Sequence, residues 1–176
     1  MPKTKSAAKK AAASKAGPSK AVSTRAKPKP IPEGFHTITP YIAVSNGEAA
    51  IEHYQKALGA KVLHRMPMPG TNKIMHACLE IGSSKLFLCD ENENMKAPKS
   101  GVGGSQFYLY VADVDTSHKQ AKAAGMKELA APSDMFWGDR MSSLLDGFGH
   151  RWDLASHVRD VSPEEMAAAM KQLSKP

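Results

Sequence analysis

Two hydrophobic patterns alternate along the chain from residue 37 onward: period-two runs that predict strands, and 3.6-period stripes that predict helices. Residues 37–44 (TITPYIAV) form the first strand-like run, with Pro40 near its start, a position that suits an edge or a strand entry. Ser45 stands three residues before Glu48 and reads as a capping box. Ala50, Ile51, Tyr54, Ala57 and Leu58 then share one helical stripe, and Gly59 closes it as the C′ residue. Residues 61–66 read as a strand, and Pro67, Pro69 and Gly70 force a loop. Residues 74–81 alternate His76, Cys78 and Glu80 against Ala77, Leu79 and Ile81, and a turn at 82–84 leads into a strand at 85–89. The order is β-α-β-β-β.

Residues 90–105 (DENENMKAPKSGVGGS) are polar, contain proline and end in glycines, which predicts a linker. Gly101 and Gly103 do not open a dinucleotide fingerprint, because Gln106 stands where its third glycine belongs. Beyond the linker the pattern returns. Residues 106–111 (QFYLYV) repeat the first strand, with Leu109 and Val111 standing 67 residues after Ile42 and Val44. A helix follows over 113–124 and stops at Gly125, then a strand near 126–129 and a loop around 132–139. Trp152 and Leu154 lie 66 residues after Leu86 and Leu88, so the offset changes by one, as a single deletion in the second helix requires. The chain carries a duplicated βαβββ module.

The second module ends in two strand-length runs around Asp146-Gly147-Phe148-Gly149, which is hairpin chemistry. In the second of these runs His150, Trp152 and Leu154 point one way, and Arg151, Asp153 and Ala155 the other. Ser162, Pro163 and Glu165 then supply N-cap, N1 and N3 of a last helix. It should run to about residue 173 and pack Met166, Ala169 and Met170 or Leu173 against the domain or a second subunit.

Charge changes the picture at the N-terminus. Residues 1–30 hold eight lysines and Arg25 and no acid, a net of +9; the other residues hold 24 − 9 = 15 basic and 17 acidic groups, a net of −2. This Lys/Ala/Pro-rich stretch, taken as 1–34, is expected to be a disordered basic tail whose composition resembles that of linker-histone tails. Three readings stand: non-specific nucleic-acid contact by phosphate neutralisation, a solubilising extension, or a targeting leader, the last disfavoured because Lys outnumbers Arg. No apolar run has the length of a membrane span and no secretory h-region is seen, so the folded part is expected to be soluble and cytoplasmic. Cys78 and Cys89 lack metal or disulfide spacing; free thiols suit a reducing compartment, and one bridge is also compatible.

Taken together, TPYIAVSNGEAAIEHYQKALGA, MHACLEIGSSKLFLCDE, YLYVADVD, MFWGDRMSSLLDGFGHRWDLASH and VSPEEM resemble the vicinal oxygen chelate superfamily. That group takes in glyoxalase I, the bleomycin-resistance proteins and the extradiol dioxygenases, and the likeness is to its PhnB-like branch. It covers residues 37 to about 170; Gly147 departs from it, since such relatives usually have proline in that turn. The resemblance implies an α+β fold in which two tandem βαβββ modules form a cupped, half-closed mixed sheet. The module boundaries are 35–91 and 106–157 with the linker at 90–105, inside a domain at 35–160 that is followed by a helix and tail at 161–176. It also implies a homodimer.

The family's metal ligands map onto Thr39, Phe87, Gln106 and Asp153. Phe87 cannot bind a metal and Thr39 is a poor ligand, while the oxygens of Gln106 and Asp153 both belong to the second module. Two oxygen donors are too few for a zinc, nickel or iron centre. The expectation is therefore no metal and no cofactor; a divalent metal requires His76 and Glu80 to complete the set.

Strand parity gives a cavity face made of Thr39, Tyr41, His76, Cys78, Glu80, Phe87, Gln106, Tyr108, Tyr110, Arg151 and Asp153. Each also has a plainer role as barrel filling or a cross-strand charge pair, and His118 reads as packing. In the loop at 135–140, Trp137 and Arg140 are candidates for a lid over the ligand, against the alternative of a dimer contact or plug. Catalytic residues are not identified. Glu80 and Asp153 are the acids considered for proton transfer, and no nucleophile lies in an elbow or triad setting. Three functions follow: a metal-free small-molecule-binding protein of the bleomycin-resistance kind, a metal-dependent lyase, isomerase or dioxygenase, and a nucleic-acid-associated protein acting through residues 1–30.

Overall fold

A computed structural model describes residues 29–99 and 104–173. The expected disorder of residues 1–28 and the glycines at 101–103 lie outside the described residues. Each module folds as read. The first comprises β1 (Tyr41–Val44), α1 (Gly47–Leu58), β2 (Lys61–Pro67), β3 (Ile74–Ile81) and β4 (Ser84–Asp90). The second comprises β5 (Gln106–Tyr110), α2 (Val114–Ala123), β6 (Lys127–Asp134), β7 (Asp139–Leu145) and β8 (Arg151–His157), and α3 (Pro163–Leu173) follows. The sheets are four-stranded and mixed, ordered β1-β4-β3-β2 and β5-β8-β7-β6. Tyr41 pairs with Phe87 and Tyr108 with Asp153, so the offset of 67 and then 66 residues is built into the strand register.

The apolar sides of both sheets meet α1 and α2 in one core holding Ile42, Val44, Tyr54, Leu79, Leu88, Leu144, Trp152 and Leu154. Parity then puts the alternate residues of each strand on a face turned away from the helices. Three side chains join the modules, Asp146 and His150 buried and Gln120 exposed. Asp146 accepts from the Phe148 and His150 backbone amides, from Trp152 Nε1 at 3.0 Å, and from the Tyr54 hydroxyl of the other module. His150 takes the Ser105 amide on Nδ1, which leaves Nε2–H for the Ala43 carbonyl of β1 at 3.3 Å. Gln120 on α2 donates to the Lys56 carbonyl of α1.

Several local expectations are corrected. The first strand begins at Tyr41 rather than residue 37; Pro40 contributes only a carbonyl, which takes the Phe87 amide. Asn46, not Ser45, caps α1 by accepting the Ala49 amide, and Glu48 instead pairs with Arg65 at 3.0 Å. Asp90, assigned to the linker, is the last residue of β4, and its buried carboxylate takes the Gly47 and Ile74 amides. A Cβ on Gly47 would sit 2.7 Å from that carboxylate, so only glycine opens this helix. The loop expected at 132–139 is mostly strand, because Pro132 lies on the outer strand of its sheet, beside a register shift, where a missing donor costs no ladder bond.

The capping box of α3 forms as read, with Ser162 and Glu165 bonding each other's backbone amides. Met166 and Ala169 are half-buried, while Met170 is exposed. Cys78 and Cys89 are free and buried. Among the described residues no helix is long and apolar enough to cross a membrane.

Candidate functional site

The candidate residues gather in three groups on the faces turned away from the helices. On the first sheet, Tyr41, His76 and Phe87 form an aromatic cluster: the His76 and Phe87 ring centroids are 4.8 Å apart, those of Tyr41 and Phe87 5.8 Å, and His76 Nδ1 lies 3.3 Å from the Tyr41 hydroxyl. Phe35, upstream of β1, packs on Phe87, and His64 on β2 faces His76. Burial first, then the neighbouring His64, lowers the His76 pKa, so the ring favours its neutral form. Cys78 lies in the same row, its thiol pushed up by burial. Glu80 is bonded to Lys85 and lies 3.8 Å from Lys61, and the hydrogen bond from Lys85 holds its carboxyl below the usual range. It is an ion-paired carboxylate, the opposite of what a general base with a raised pKa requires.

On the second sheet Gln106, Asp153 and Arg151 come together as expected, with Ser143 added from β7. The Asp153 carboxylate is only 1% exposed. One oxygen takes the Ser143 hydroxyl and Arg151 Nε, the other takes Gln106 Nε2, and Arg151 Nη2 reaches back to Ser143 at 2.9 Å. Three of the roughly four acceptor sites on the Asp153 carboxylate are therefore taken, and the Gln106 amide turns its nitrogen, not its oxygen, toward the acid. At the position of Asp153 in the first module stands Phe87, and Thr39 lies ahead of β1. This donor set does not fit a transition-metal centre. His76 and Glu80 stay on the first sheet with their partners there, and among the described residues no group of three or more His, Cys, Asp or Glu side chains gathers that could hold an ion.

The third group joins Tyr108 and Tyr110, which were read onto the cavity face, to Asp139 and His157, which were not. Asp139, 4% exposed at the start of β7, takes the hydroxyls of Tyr108 at 2.8 Å and Tyr110 at 3.2 Å on one oxygen and His157 Nδ1 at 2.8 Å on the other. Burial works to raise the Asp139 pKa, but the His157, Tyr108 and Tyr110 donors outweigh it and leave the carboxyl lowered. The Tyr108 phenol is pushed up to about 12, by burial first and then by its bond to Asp139. Hydrogen bonds to Asp139 and then Asp160 raise His157. Asp139 was legible only as the acid beside Arg140 in the aromatic loop at 135–140, and His157 only as a strand end.

Trp137 is half-buried in the turn before Asp139, edge-on to Phe136 with centroids 4.9 Å apart, on the side where Tyr108 lies. Arg140 departs from the lid reading. It follows Asp139 in β7 and so points to the opposite side, where it forks onto Asp115 of α2 at 2.7 and 2.9 Å and onto Asp134. His118, read as packing, is buried and bonded to Glu128 at 2.7 Å. Among the described residues no hydrogen bond or ring contact links the Tyr41 cluster with the two groups on the second sheet.

Comparison with known proteins gives a consistent picture. A family model described as the Glyoxalase/Bleomycin resistance protein/Dioxygenase superfamily matches residues 34–154. An uncharacterized protein of Mycobacterium bovis is 37% identical over 139 residues, covering 76% of this chain and 91% of its own. Among solved structures, TioX from Micromonospora sp. ML1 superimposes with a TM-score of 0.57 at 27% identity, over 69% of this chain and 98% of that one. A glyoxalase/bleomycin resistance protein/dioxygenase from Nocardioides gives 0.53 at 21% identity over 80% and 91%, a likeness of fold alone.

Proposed function

We propose, from the premise that the chain belongs to the glyoxalase/bleomycin resistance protein/dioxygenase superfamily, that it binds a small organic molecule on the aromatic and polar faces of its sheets without a resident metal. The observation that carries this reading is the state of Asp153. The family's metal-ligand position is engaged on both oxygens by Gln106, Ser143 and Arg151, and its counterpart in the first module is Phe87. Aromatic walls with a few fixed polar groups are suited to holding an organic ligand. Tyr41, His76 and Phe87 supply one wall; Gln106, Tyr108, Tyr110, Arg151 and Asp153 supply the other, with Trp137 at its edge and Glu80 and Arg140 in supporting ion pairs.

We further place the chain in the PhnB-like branch, with a domain at 35–160, a basic tail at 1–34 and a C-terminal helix and tail at 161–176. Tyr41, Tyr108 and Tyr110 are 43%, 44% and 63% exposed on the candidate faces, and Met170 is exposed on α3, which supports a homodimer in which a second copy covers these surfaces. Two unpaired thiols support a cytoplasmic location.

Native mass spectrometry of the full chain tests the reading. The expected spectrum is a dimer that releases a small organic mass and carries no metal. One zinc, nickel, manganese or iron per subunit surviving dialysis overturns it in favour of a metal-dependent lyase, isomerase or dioxygenase.

The nine basic groups of residues 1–30 favour a second role, non-specific contact with nucleic acid. It predicts a salt-sensitive DNA shift that disappears when those residues are removed. A shift that survives the deletion overturns it.

A further inference from the structure

The duplication supplies an internal standard for burial, and β5 fails it. Leu109 and Val111 occupy the positions of Ile42 and Val44, which are 3% and 0% exposed, yet both are only half-buried. For Leu109 the reason is a cavity of about 280 Å³ between β5 and the turn end of the β3–β4 hairpin, on the helix side of both sheets, while Val111 borders a separate hollow of about 120 Å³ beside Ala57 and Leu58. Most of the larger cavity's wall lies on the core side, away from Tyr41, Tyr110 and Asp153, and it meets the candidate faces at Thr39 and Tyr108.

Its wall is built from Phe107, Trp152, Ile81, Leu86 and Leu109. Phe107 and Trp152 are stacked, with centroids 4.6 Å apart and planes inclined by 30°. The Trp152 N–H is spent on Asp146, which fixes the ring and leaves only apolar surface to face the space. Ile38 stands at the mouth, 80% exposed although large and apolar. Lys85 also lines the cavity, but its ammonium is bonded to Glu80. Among the described residues the lining holds no carboxylate and, beside Lys85, only His36 as a basic side chain, so a charged guest is poorly matched there, and burying an unpaired charge is costly. An unfilled apolar space of this size forfeits packing that the first module achieves at the same positions.

We propose that this seam cavity is a second binding site, taking a neutral, flat, bicyclic aromatic molecule that slides past Ile38 and lies against the Phe107–Trp152 pair. Its volume sits near the lower end of small-molecule pockets, roughly 300 Å³. It touches the ligand faces described above only at Thr39 and Tyr108.

The test uses Trp137→Phe, which leaves Trp152 as the single tryptophan of the two in the chain. The full chain is titrated with 2-naphthol, a neutral flat bicycle, and with its anionic counterpart naphthalene-2-sulfonate. The expected result is saturable one-to-one quenching of Trp152 by the neutral probe, with weaker binding of the anion. Leu109→Phe fills the space and Ile38→Glu charges its mouth, and each should weaken the neutral probe roughly tenfold or more. Tyr110→Ala, on the opposite face, should leave its affinity unchanged. Should Leu109→Phe fail to fold, as its circular dichroism would reveal, Ile38→Glu decides, since that position is exposed. The proposal is overturned if Tyr110→Ala weakens the probe while Ile38→Glu does not, or if the anion binds more tightly. Absence of saturable binding also overturns it, including the case where Trp152 emission changes only with protein concentration because a second copy fills the space.

Discussion

The Tyr54 hydroxyl donates a 2.7 Å hydrogen bond to the Asp146 carboxylate, joining the helix of the first module to the hairpin turn of the second across 92 residues. Tyr54 is fully buried and Asp146 is 4% exposed, so water cannot replace either partner. The same carboxylate organises the turn itself through the Phe148 and His150 amides and holds Trp152. One side chain therefore sets both the hairpin and the way the modules meet.

Removing the hydroxyl with Tyr54→Phe leaves Asp146 one donor short and should cost about 1–3 kcal/mol in chemical denaturation. Asp146→Ala strands four donors and should cost more. Burial, then the Asp146 charge and hydrogen bond, push the Tyr54 phenol well above its ordinary value. Because the folded state holds the neutral phenol, its contribution is complete below about pH 10, the unfolded tyrosine value, and is lost as pH rises through the higher folded value. Tyr54→Phe should remove that part of the alkaline slope; an unchanged slope would show that other groups set it.

The Asp139–His157 pair makes a second pH prediction. His157 is raised by its bonds to Asp139 and Asp160, so its contribution is complete below the unfolded histidine value of about 6.5 and is lost as pH rises through the folded value. Asp139 is lowered, so its contribution is present above the unfolded aspartate value of about 3.9 and is lost as pH falls through the folded value. Proton NMR of the imidazole should give a His157 midpoint above about 6.5, and Asp139→Asn should bring it down. A midpoint indifferent to Asp139→Asn would remove the pairing.

Two glycines in one turn should respond to alanine in opposite directions. Gly149 has φ +90° and an added Cβ would lie 2.8 Å from Pro98 Cβ, so Gly149→Ala should destabilise by about 1–3 kcal/mol. Gly147 lacks a left-handed φ, and a Cβ there meets nothing within 4 Å. Gly147→Ala should stabilise by about 0.4–1 kcal/mol by restricting the unfolded chain. Thermal melts of the two variants suffice, and equal losses at both positions would contradict the turn geometry.

What was legible in the sequence follows from what is repeated. Strand parity and the 66- and 67-residue offsets depend on local spacing, so they placed both modules, the Gln106–Asp153–Arg151 group and the Tyr41–His76–Phe87 cluster. Contacts made once were not legible. Ser143 meets Asp153 only through the β7–β8 register, and Asp139 meets two tyrosines and a histidine only because three strands end together. Arg140 was misplaced because its neighbours looked like a loop; once β7 starts at Asp139, parity alone sends it to α2. Pro132 misled in the same way, since a proline stops a central strand but not an outer one.

The engagement of Asp153 on both oxygens bears most directly on function. A bound metal stabilises the folded state by mass action, by about 2.7 kcal/mol when present at a hundred times its dissociation constant. If Asp153 belongs to its hydrogen-bonded network, dialysis against a chelator should leave the unfolding midpoint of the full chain unchanged, and zinc or nickel should not raise it. Asp153→Asn would set an amide N–H against either Gln106 Nε2 or the Ser143–Arg151 pair, where a donor now meets a donor. Arg151 is partly solvated and recovers some of the loss, so the cost should be about 1–3 kcal/mol. Gln106→Glu with Asp153 retained would place two carboxylates together and create the acidic pair that the natural sequence lacks. That variant should be less stable at neutral pH, and because two oxygen donors remain too few for zinc it should show no zinc-dependent rise in its midpoint. A wild-type chain that shows such a rise would mean that Asp153 leaves its network to meet a metal, and the binding-protein reading would fall with it.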